Sequence, residues 1–415
     1  MSWVRATLAM LIVLATAGCW PQPGANPAGT NFNALEDVLT TDTVATLTER
    51  WSAPGTVSSV FGADAYGLTN GTIRALDVNT GALRWSSPLP TVPGAADGTF
   101  RQAAGPAVTD AGELAASFTQ DTTAGPSQPK VGAGLRWDRT TGELVGVLST
   151  PPTVGALVPI RIAPVGDRIL YELNDGSLQV VSTTEETPGP GLPVSTRLWG
   201  ATGTGQTGLP TLAPIVVGDT VIDTNLSTMR SFPLAGCGQD VCTPTWSVPL
   251  SPFGGVVVPV GEHLLVTHVD STLRSYRLSD GAREWQAPMA GSGGGLATNG
   301  AVVYAASGGT TLQAFSAEGC GGPTCTPLWT GTLPALSNSN VAIAGGVVYV
   351  GSSSQVLAFA ADGCGGATTC TPIASVSTGS GSVTSVIVSG GHLVVTTGGG
   401  TPDARTVVFA PASVA

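Results

Sequence analysis

Apolar and polar residues alternate along most of this chain in short runs that end in Gly, Asn, Asp or Pro, the pattern of half-buried strands joined by tight turns. Residues 71–89, "GTIRALDVNTGALRWSSPL", show it plainly: an alternating strand, an Asn-Thr-Gly turn, then a strand carrying Trp85. The pattern returns at 271–289, "STLRSYRLSDGAREWQAPM", with Trp285, and at 310–333, "TTLQAFSAEGCGGPTCTPLWTGTL", with Trp329. Gly81, Gly281 and Gly319 occupy the same place in the turn. Upstream of such hairpins lie Val- and Tyr-rich runs, "GAVVYAAS" at 300–307 and "GGVVYVGS" at 345–352, whose weak alternation fits strands buried on both faces. Shorter strands such as 339–345 precede those, so each unit reads as about four antiparallel strands.

Marking the tryptophan position of each unit gives Trp51, Trp85, Gly146, Trp199, Trp246, Trp285, Trp329 and Ala374, spaced by 34 to 61 residues. Repeats of that length with four strands each predict an all-β, eight-bladed propeller. Segments 382–389, 392–397 and 405–410 supply three strands without a closing one, while 44–54, "VATLTERWSAP", is a closing strand with no blade before it. The N-terminal strand around Trp51 is therefore expected to complete the last blade and close the ring, which removes the exposed edges of an open array. Residues 44–415 read as one domain, with inserted loops at 119–134 and 182–196, and no segment past residue 18 has helical periodicity.

The first residues change the picture. "MSWVRATLAMLIVLATAGC" has a basic Arg5, an apolar run too short to span a bilayer, and small residues before Cys19, as a signal peptide does. Thr16-Ala17-Gly18-Cys19 resembles the lipobox of bacterial lipoproteins, with Thr16 where that family has Leu, Val or Ile. The resemblance implies cleavage after residue 18 and a lipid on Cys19. Residues 19–43, rich in Pro, Gly and Asn, are then expected to be a tether between membrane and propeller. Of seven cysteines, six remain beyond Cys19, in three local pairs: Cys237/Cys242, Cys320/Cys325 and Cys364/Cys370. In an exported chain these predict disulfides stapling lengthened hairpins; a shared zinc site is the competing reading, and it requires three distant repeats to converge.

Residues 74–85, "RALDVNTGALRW", resemble the repeat of the pyrroloquinoline-quinone-type propellers, matching at Ala75, Leu76, Asp77, Thr80, Gly81 and Trp85. The resemblance spans roughly 45–410 and implies that Trp51, Trp85, Trp199, Trp246, Trp285 and Trp329 dock blade against blade. The family contains calcium- and quinone-dependent dehydrogenases, and also the non-catalytic outer-membrane-protein assembly lipoprotein. The dehydrogenases use two adjacent cysteines beneath the quinone; here no two cysteines are adjacent.

Charge and candidate chemistry add mainly exclusions. A net charge of −11 without any basic cluster argues against nucleic acid. His263 and His392 occupy one repeat position, His268 ends the strand that His263 begins, and no G-x-S-x-G elbow accompanies them. The glycine clusters at 291–300 and 396–402 lack a Walker lysine and read as turns. Acidic pairs in "NALEDVLT" and "TTEETPG" read as solvated loop residues. The sequence thus points to no catalytic, cofactor or metal residues, and to a lipid-anchored scaffold outside the cytoplasm that binds a protein of the cell envelope. A quinone-dependent dehydrogenase and a cell-wall carbohydrate binder are the alternatives.

Overall fold

The computed structural model describes residues 19–69, 71–90, 101–120, 131–148, 159–173, 175–189, 191–203, 214–225, 227–292, 294–306, 308–379, 381–401 and 403–414. The expected signal peptide at 1–18 lies outside the described residues. Four-stranded antiparallel units follow one another along the chain, each paired in chain order. Blade 5 is representative: Gly254–Val260, His263–His268, Thr272–Arg277 and Arg283–Pro288 run from the inside of the ring to its rim. Blades 1 to 7 occupy 56–88, 101–147, 159–201, 215–249, 254–288, 295–332 and 341–377. Blade 8 is composite. Val383–Ser389, His392–Thr397 and Arg405–Pro411 receive Leu47–Pro54 as their outer strand, in antiparallel register from Leu47 opposite Pro411 to Pro54 opposite Arg405. The chain is an eight-bladed propeller closed as the sequence predicts. No helix among the described residues is long and apolar enough to cross a membrane.

The core lies between blades, because each sheet is apolar on both faces and must be covered twice. One buried cluster, for example, joins Leu265, Leu273 and Trp285 of blade 5 to Leu296, Val303 and Phe315 of blade 6. Two devices set the spacing. On the lower face, where the inner strands end, the outer-strand tryptophan of one blade packs on the turn glycine of the next. A Cβ on Gly281, whose φ is +72°, would lie 2.8 Å from the Trp246 ring. Gly81, Gly142, Gly236, Gly319 and Gly363 stand likewise against Trp51, Trp85, Trp199, Trp285 and Trp329. Four of these indoles also donate Nε1–H to the turn, to the carbonyls of Val78, Arg139, Leu234 and Leu278, at 2.8 to 3.1 Å. Asp77 and Asp138 brace the turns by accepting backbone N–H groups of Asn79 and Thr80, and of Thr140 and Thr141.

The upper face, where the inner strands begin, has a second latch. The third strand of several blades opens with Thr-X-Arg or Thr-X-Gln, and that side chain bonds the backbone where the preceding blade ends. Arg274 Nη1 donates to Ser251 O at 2.6 Å, Arg230 Nη1 donates to Thr202 O at 2.7 Å, and Gln313 Oε1 accepts from Ala290 N at 2.8 Å. Arg230 is also paired with the buried Asp223, whose carboxyl is raised by desolvation against the pull of that guanidinium.

Disulfides join Cys237 to Cys242, Cys320 to Cys325 and Cys364 to Cys370, so the cysteines form no shared metal site. Their role extends beyond stapling a hairpin. Each loop pairs in parallel with the outer strand of the preceding blade: Cys242 N donates to Gly200 O at 2.7 Å, Cys325 N to Gln286 O at 2.8 Å, and Thr369–Cys370 pairs with Thr330 and Gly331. The second cysteine of each pair is buried in the cluster around the neighbouring tryptophan.

Two sequence expectations are corrected here. Residues 182–196 are not a simple inserted loop: Leu178–Thr187 and Val194–Ala201 form a long hairpin whose return pairs in parallel with Val147 of blade 2. That hairpin brings Glu186 to Arg136, which is buried over Gly146 where the tryptophan is missing and also pairs with Glu113 at 2.8 Å. An ion-paired arginine thus replaces the indole at the junction of blades 2 and 3, and Glu186 is not a free loop acid. Most of the other expected loop, 119–134, lies outside the described residues.

The second correction concerns 19–43, expected as a free tether. Trp20 is 1% exposed and pairs with Val60 of blade 1 through two 2.8 Å backbone bonds. The chain then circles once inside the ring. Carbonyls of Pro21, Pro27, Thr30 and Asn31 accept from the amides of Val108, Val216, Thr298 and Ile343, in blades 2, 4, 6 and 7. Phe32–Asn33 adds a parallel strand to Ile343 and Ala344, and Asn33 Nδ2 donates to Val388 O of blade 8 at 3.0 Å. Glu36, expected to be solvated, is buried; its carboxylate accepts from the amides of Val38, Leu39 and Gly391. Inner strands leave an unpaired backbone edge toward the channel, and buried N–H and C=O groups need partners, so this strap is held where the strands end.

Gly281→Val should cost about 3 kcal/mol in denaturant unfolding, combining backbone strain with a clash on Trp246. Gly261→Val, at a comparable φ of +54° with open space around it, should cost visibly less; equal losses would show that the tryptophan contact adds nothing. Hydrogen exchange should find the amides of Val108, Val216, Thr298 and Ile343 protected, and Trp20→Ala should release the Val60 and Val108 amides before the rest of their strands.

Candidate binding site

Closing the lower end of the channel turns its upper part into a blind cavity of about 520 Å³. The floor is the strap, from Gln22 to Asn31. The walls are Ile162 and Ala163 of blade 3, Pro214 and Ile215 before and in blade 4, Val256 and Val257 of blade 5, and Gly295 and Leu296 of blade 6. Ser292, Gly308 and Asn338 stand toward the upper face, with Ser337, Ser339 and Asn340 beside them. The "GSGGGLATNG" segment, expected as a turn, therefore provides cavity lining and the inner strand Gly295–Thr298. Among the described residues no charged side chain and no aromatic ring lines the cavity. The Ser337 hydroxyl is buried there without a hydrogen-bond partner.

Beside the mouth, the upper face exposes large apolar side chains: Phe253 at 52%, Val269 at 53% and Leu336 at 56%. Phe253 and Leu336 precede the inner strands of blades 5 and 7, and Val269 lies in the turn between the second and third strands of blade 5. These loops are supported from below. Val269 N donates to Phe253 O at 3.0 Å. His268 Nδ1 donates to Pro252 O at 2.7 Å, and its Nε2 lies 3.1 Å from the Tyr276 hydroxyl.

The residues singled out by sequence lie elsewhere. The six tryptophans and three cystines are at blade boundaries on the lower face and rim, and Cys19 is a half-buried free thiol next to Trp20. The histidines do not converge: His263 pairs with Glu284, His268 with Pro252 and Tyr276, and His392 with the Gly390 carbonyl. Among the described residues no three His, Cys, Asp or Glu side chains gather to hold a metal ion. Sequence reasoning missed the upper-face latch, whose signal was in view as the shared "TIR", "TMR", "TLR" and "TLQ" of residues 72–74, 228–230, 272–274 and 311–313. It also missed the cavity, for which no local signal exists.

Residues 242–398 match the family model of the outer membrane protein assembly factor BamB. The solved structure of BamB from Moraxella catarrhalis is similar over 88% of this chain and 99% of that one, with a TM-score of 0.62 and 15% identity. Residues 242–398 thus carry the pyrroloquinoline-quinone-like repeat, and these similarities support a propeller of that repeat type. Quinohemoprotein alcohol dehydrogenase from Comamonas testosteroni is similar over 98% of this chain and 82% of that one (TM-score 0.67, 12% identity), and the C-terminal WD40 domain of Sif2 over 88% and 99% (0.65, 14%). At these identities the likeness is one of fold. No curated protein matches the sequence.

The resemblance makes quinone and calcium the groups to test against this channel. Pyrroloquinoline quinone is a tricarboxylate, and calcium seeks carboxylate and carbonyl oxygens. Among the described residues the cavity lining supplies neither a cation for the former nor an acid for the latter, and the strap fills the space below. The cavity residues do not fit this pair.

Burial pushes the His268 and His392 imidazoles below their ordinary value, against the opposing pull of the Pro252 and Gly390 carbonyls. The unfolded chain therefore binds protons near about pH 6.5 that the folded chain refuses. Their contribution is fully present above that pH and is lost as pH falls from it toward the lowered values. The thermal midpoint should drop between about pH 7.5 and about pH 5, and a double His268→Gln, His392→Gln variant should show a shallower drop. An unchanged slope would remove these two imidazoles from the account.

Proposed function

We propose that this chain is a non-enzymatic exported lipoprotein, anchored through Cys19, whose propeller presents its upper face to a protein partner in the cell envelope. The observation that carries the reading is the upper face itself: large apolar side chains exposed on loops that a rigid ring and a buried histidine hold in place. Leu35, Leu83, Val241, Leu328 and Ile373 are exposed elsewhere, but Phe253 and Val269 adjoin one another beside the channel mouth, and a contiguous exposed apolar patch marks an interaction surface. The match to the BamB family model supports an envelope role. Three cystines fit an oxidising compartment. Because the strap is packed from Trp20 onward, a lipid on Cys19 would hold the lower face close to the bilayer and leave the upper face free.

Photo-crosslinking residues placed at Phe253, Val269 or Leu336 in the native envelope should trap one discrete protein, and the same residue at Leu83 or Leu328 on the rim should not. Equal labelling from both sets would remove the upper face from the proposal. Intact-mass analysis of the membrane-extracted protein should show a diacylglyceryl Cys19 as its first residue; an unmodified Cys19 would end the lipoprotein reading. Calorimetry with quinone and calcium should give no saturable heat, and micromolar binding would establish the dehydrogenase alternative instead.

A further inference from the structure

The exposed pair Phe253 and Val269 stands on a segment tied down at every residue. The carbonyls of Ser251, Pro252 and Phe253 each accept a hydrogen bond from the second strand of blade 5, its third strand or the turn between them. The donors are Arg274 Nη1 at 2.6 Å, His268 Nδ1 at 2.7 Å and the Val269 amide at 3.0 Å. A guanidinium and a backbone amide keep their hydrogens at any pH at which the ring is folded. The imidazole is the one donor of the three that changes charge between about pH 5 and about pH 8.

Its partners hold it neutral. A carbonyl can only accept, so Nδ1 carries the hydrogen that meets Pro252 O. Nε2, 3.1 Å from the Tyr276 hydroxyl, then accepts the phenol's hydrogen. A second proton, on Nε2, would confront that hydrogen. It would do so without water, because the ring is buried and Tyr276 belongs to the apolar cluster that blade 4 closes with Met229 and Leu250. The charged groups that face the ring are Arg274 and Arg283, which oppose a further positive charge, and Asp270, which is already paired with Arg274. The ring takes up a proton if water reaches it. Nδ1 is bound to the segment 251–253, so hydration means lifting that segment and parting the Val269–Phe253 bond. The lifted form binds the proton near the ordinary histidine value of about 6.5 and the seated form refuses it, so acid favours the lifted form by up to about tenfold per pH unit below that value.

We infer that His268 is an acid-sensitive latch on the apolar patch: while its ring is neutral the segment 251–253 is seated and Phe253 and Val269 stand side by side, and protonation lifts the segment and separates them. The inference rests on the reading of the upper face as the partner-binding surface and adds how that surface is regulated. Arg274 keeps its hold on Ser251 O in both forms, so the movement is confined to the segment and leaves the blade paired.

To test it, para-fluorophenylalanine is placed at Phe253 in the full-length protein and followed by fluorine NMR from about pH 7.5 to about pH 5, with circular dichroism reporting whether the ring stays folded. One resonance is expected at the upper end, and a second environment should grow by up to about tenfold per pH unit below about pH 6.5 while the dichroism holds. His268→Gln offers an N–H to Pro252 O and an oxygen to the Tyr276 hydroxyl but does not titrate, so its resonance should stay constant; His392→Gln should respond as the unsubstituted protein does. A constant signal in the unsubstituted protein, an equal change in His268→Gln, or a change that only accompanies loss of the dichroism would each overturn the inference. The envelope crosslink from Phe253, repeated at about pH 5.5, should fall severalfold and should hold in His268→Gln; trapping unaffected by acid would also overturn it. If no protein is trapped at either pH, the scaffold reading falls, and the fluorine signal still decides the latch.

Discussion

Everything in this ring depends on the antiparallel pairing of Leu47–Pro54 with Arg405–Pro411. A propeller blade has two apolar faces, so an open array leaves one sheet uncovered at each end. Supplying the outer strand of blade 8 from the N-terminus covers both ends at once. It also dictates the course of what precedes it. A chain that becomes an outer strand at Leu47 must reach the rim, and the residues before it run round the inside of the ring and then cross blade 8 outward. The blocked lower channel and the blind upper cavity follow from that route.

The spacing of the blades is held at two levels, and the substitutions within each level are instructive. Below, an indole rests on a glycine turn at six junctions; between blades 2 and 3 a buried arginine takes its place, held by carboxylates from both blades, and between blades 7 and 8 the position is Ala374. Above, Arg or Gln reaches back to the end of the preceding blade. The cystine loops add backbone pairing across the boundary, and each closes so small a ring that the chain-entropy model assigns it only about 2 kcal/mol. Their larger contribution is to hold a strand-like segment against the neighbouring blade. The ties between blades lie mostly on the lower face and rim, while the upper-face loops carry Phe253, Val269 and Leu336 beside the channel mouth.

Much of this was legible along the chain because it is local and repeated. A hairpin needs its glycine, the following strand needs its tryptophan, and both recur at readable intervals; blade number, ring closure and cysteine pairing all follow from such short-range patterns. Glu186 and Glu36 were misread for the opposite reason: each is buried by residues far away in sequence, Arg136 for one and the Gly391 amide for the other. Likewise "WPQPGANPAGTN" has the composition of a linker, and composition describes what a segment does when nothing covers it. Only the assembled ring offered six blades' worth of strand ends and edges to pair with it. Sequence by itself determined the blades and their order, since those arise from neighbours in the chain, and the way the ring shuts, since one end lacks the strand that the other has to spare. The tertiary structure alone decided that the N-terminal segment lies in the channel, and with it the cavity and the face left open, because unpaired backbone edges converging on one axis exist only after the blades have closed around it.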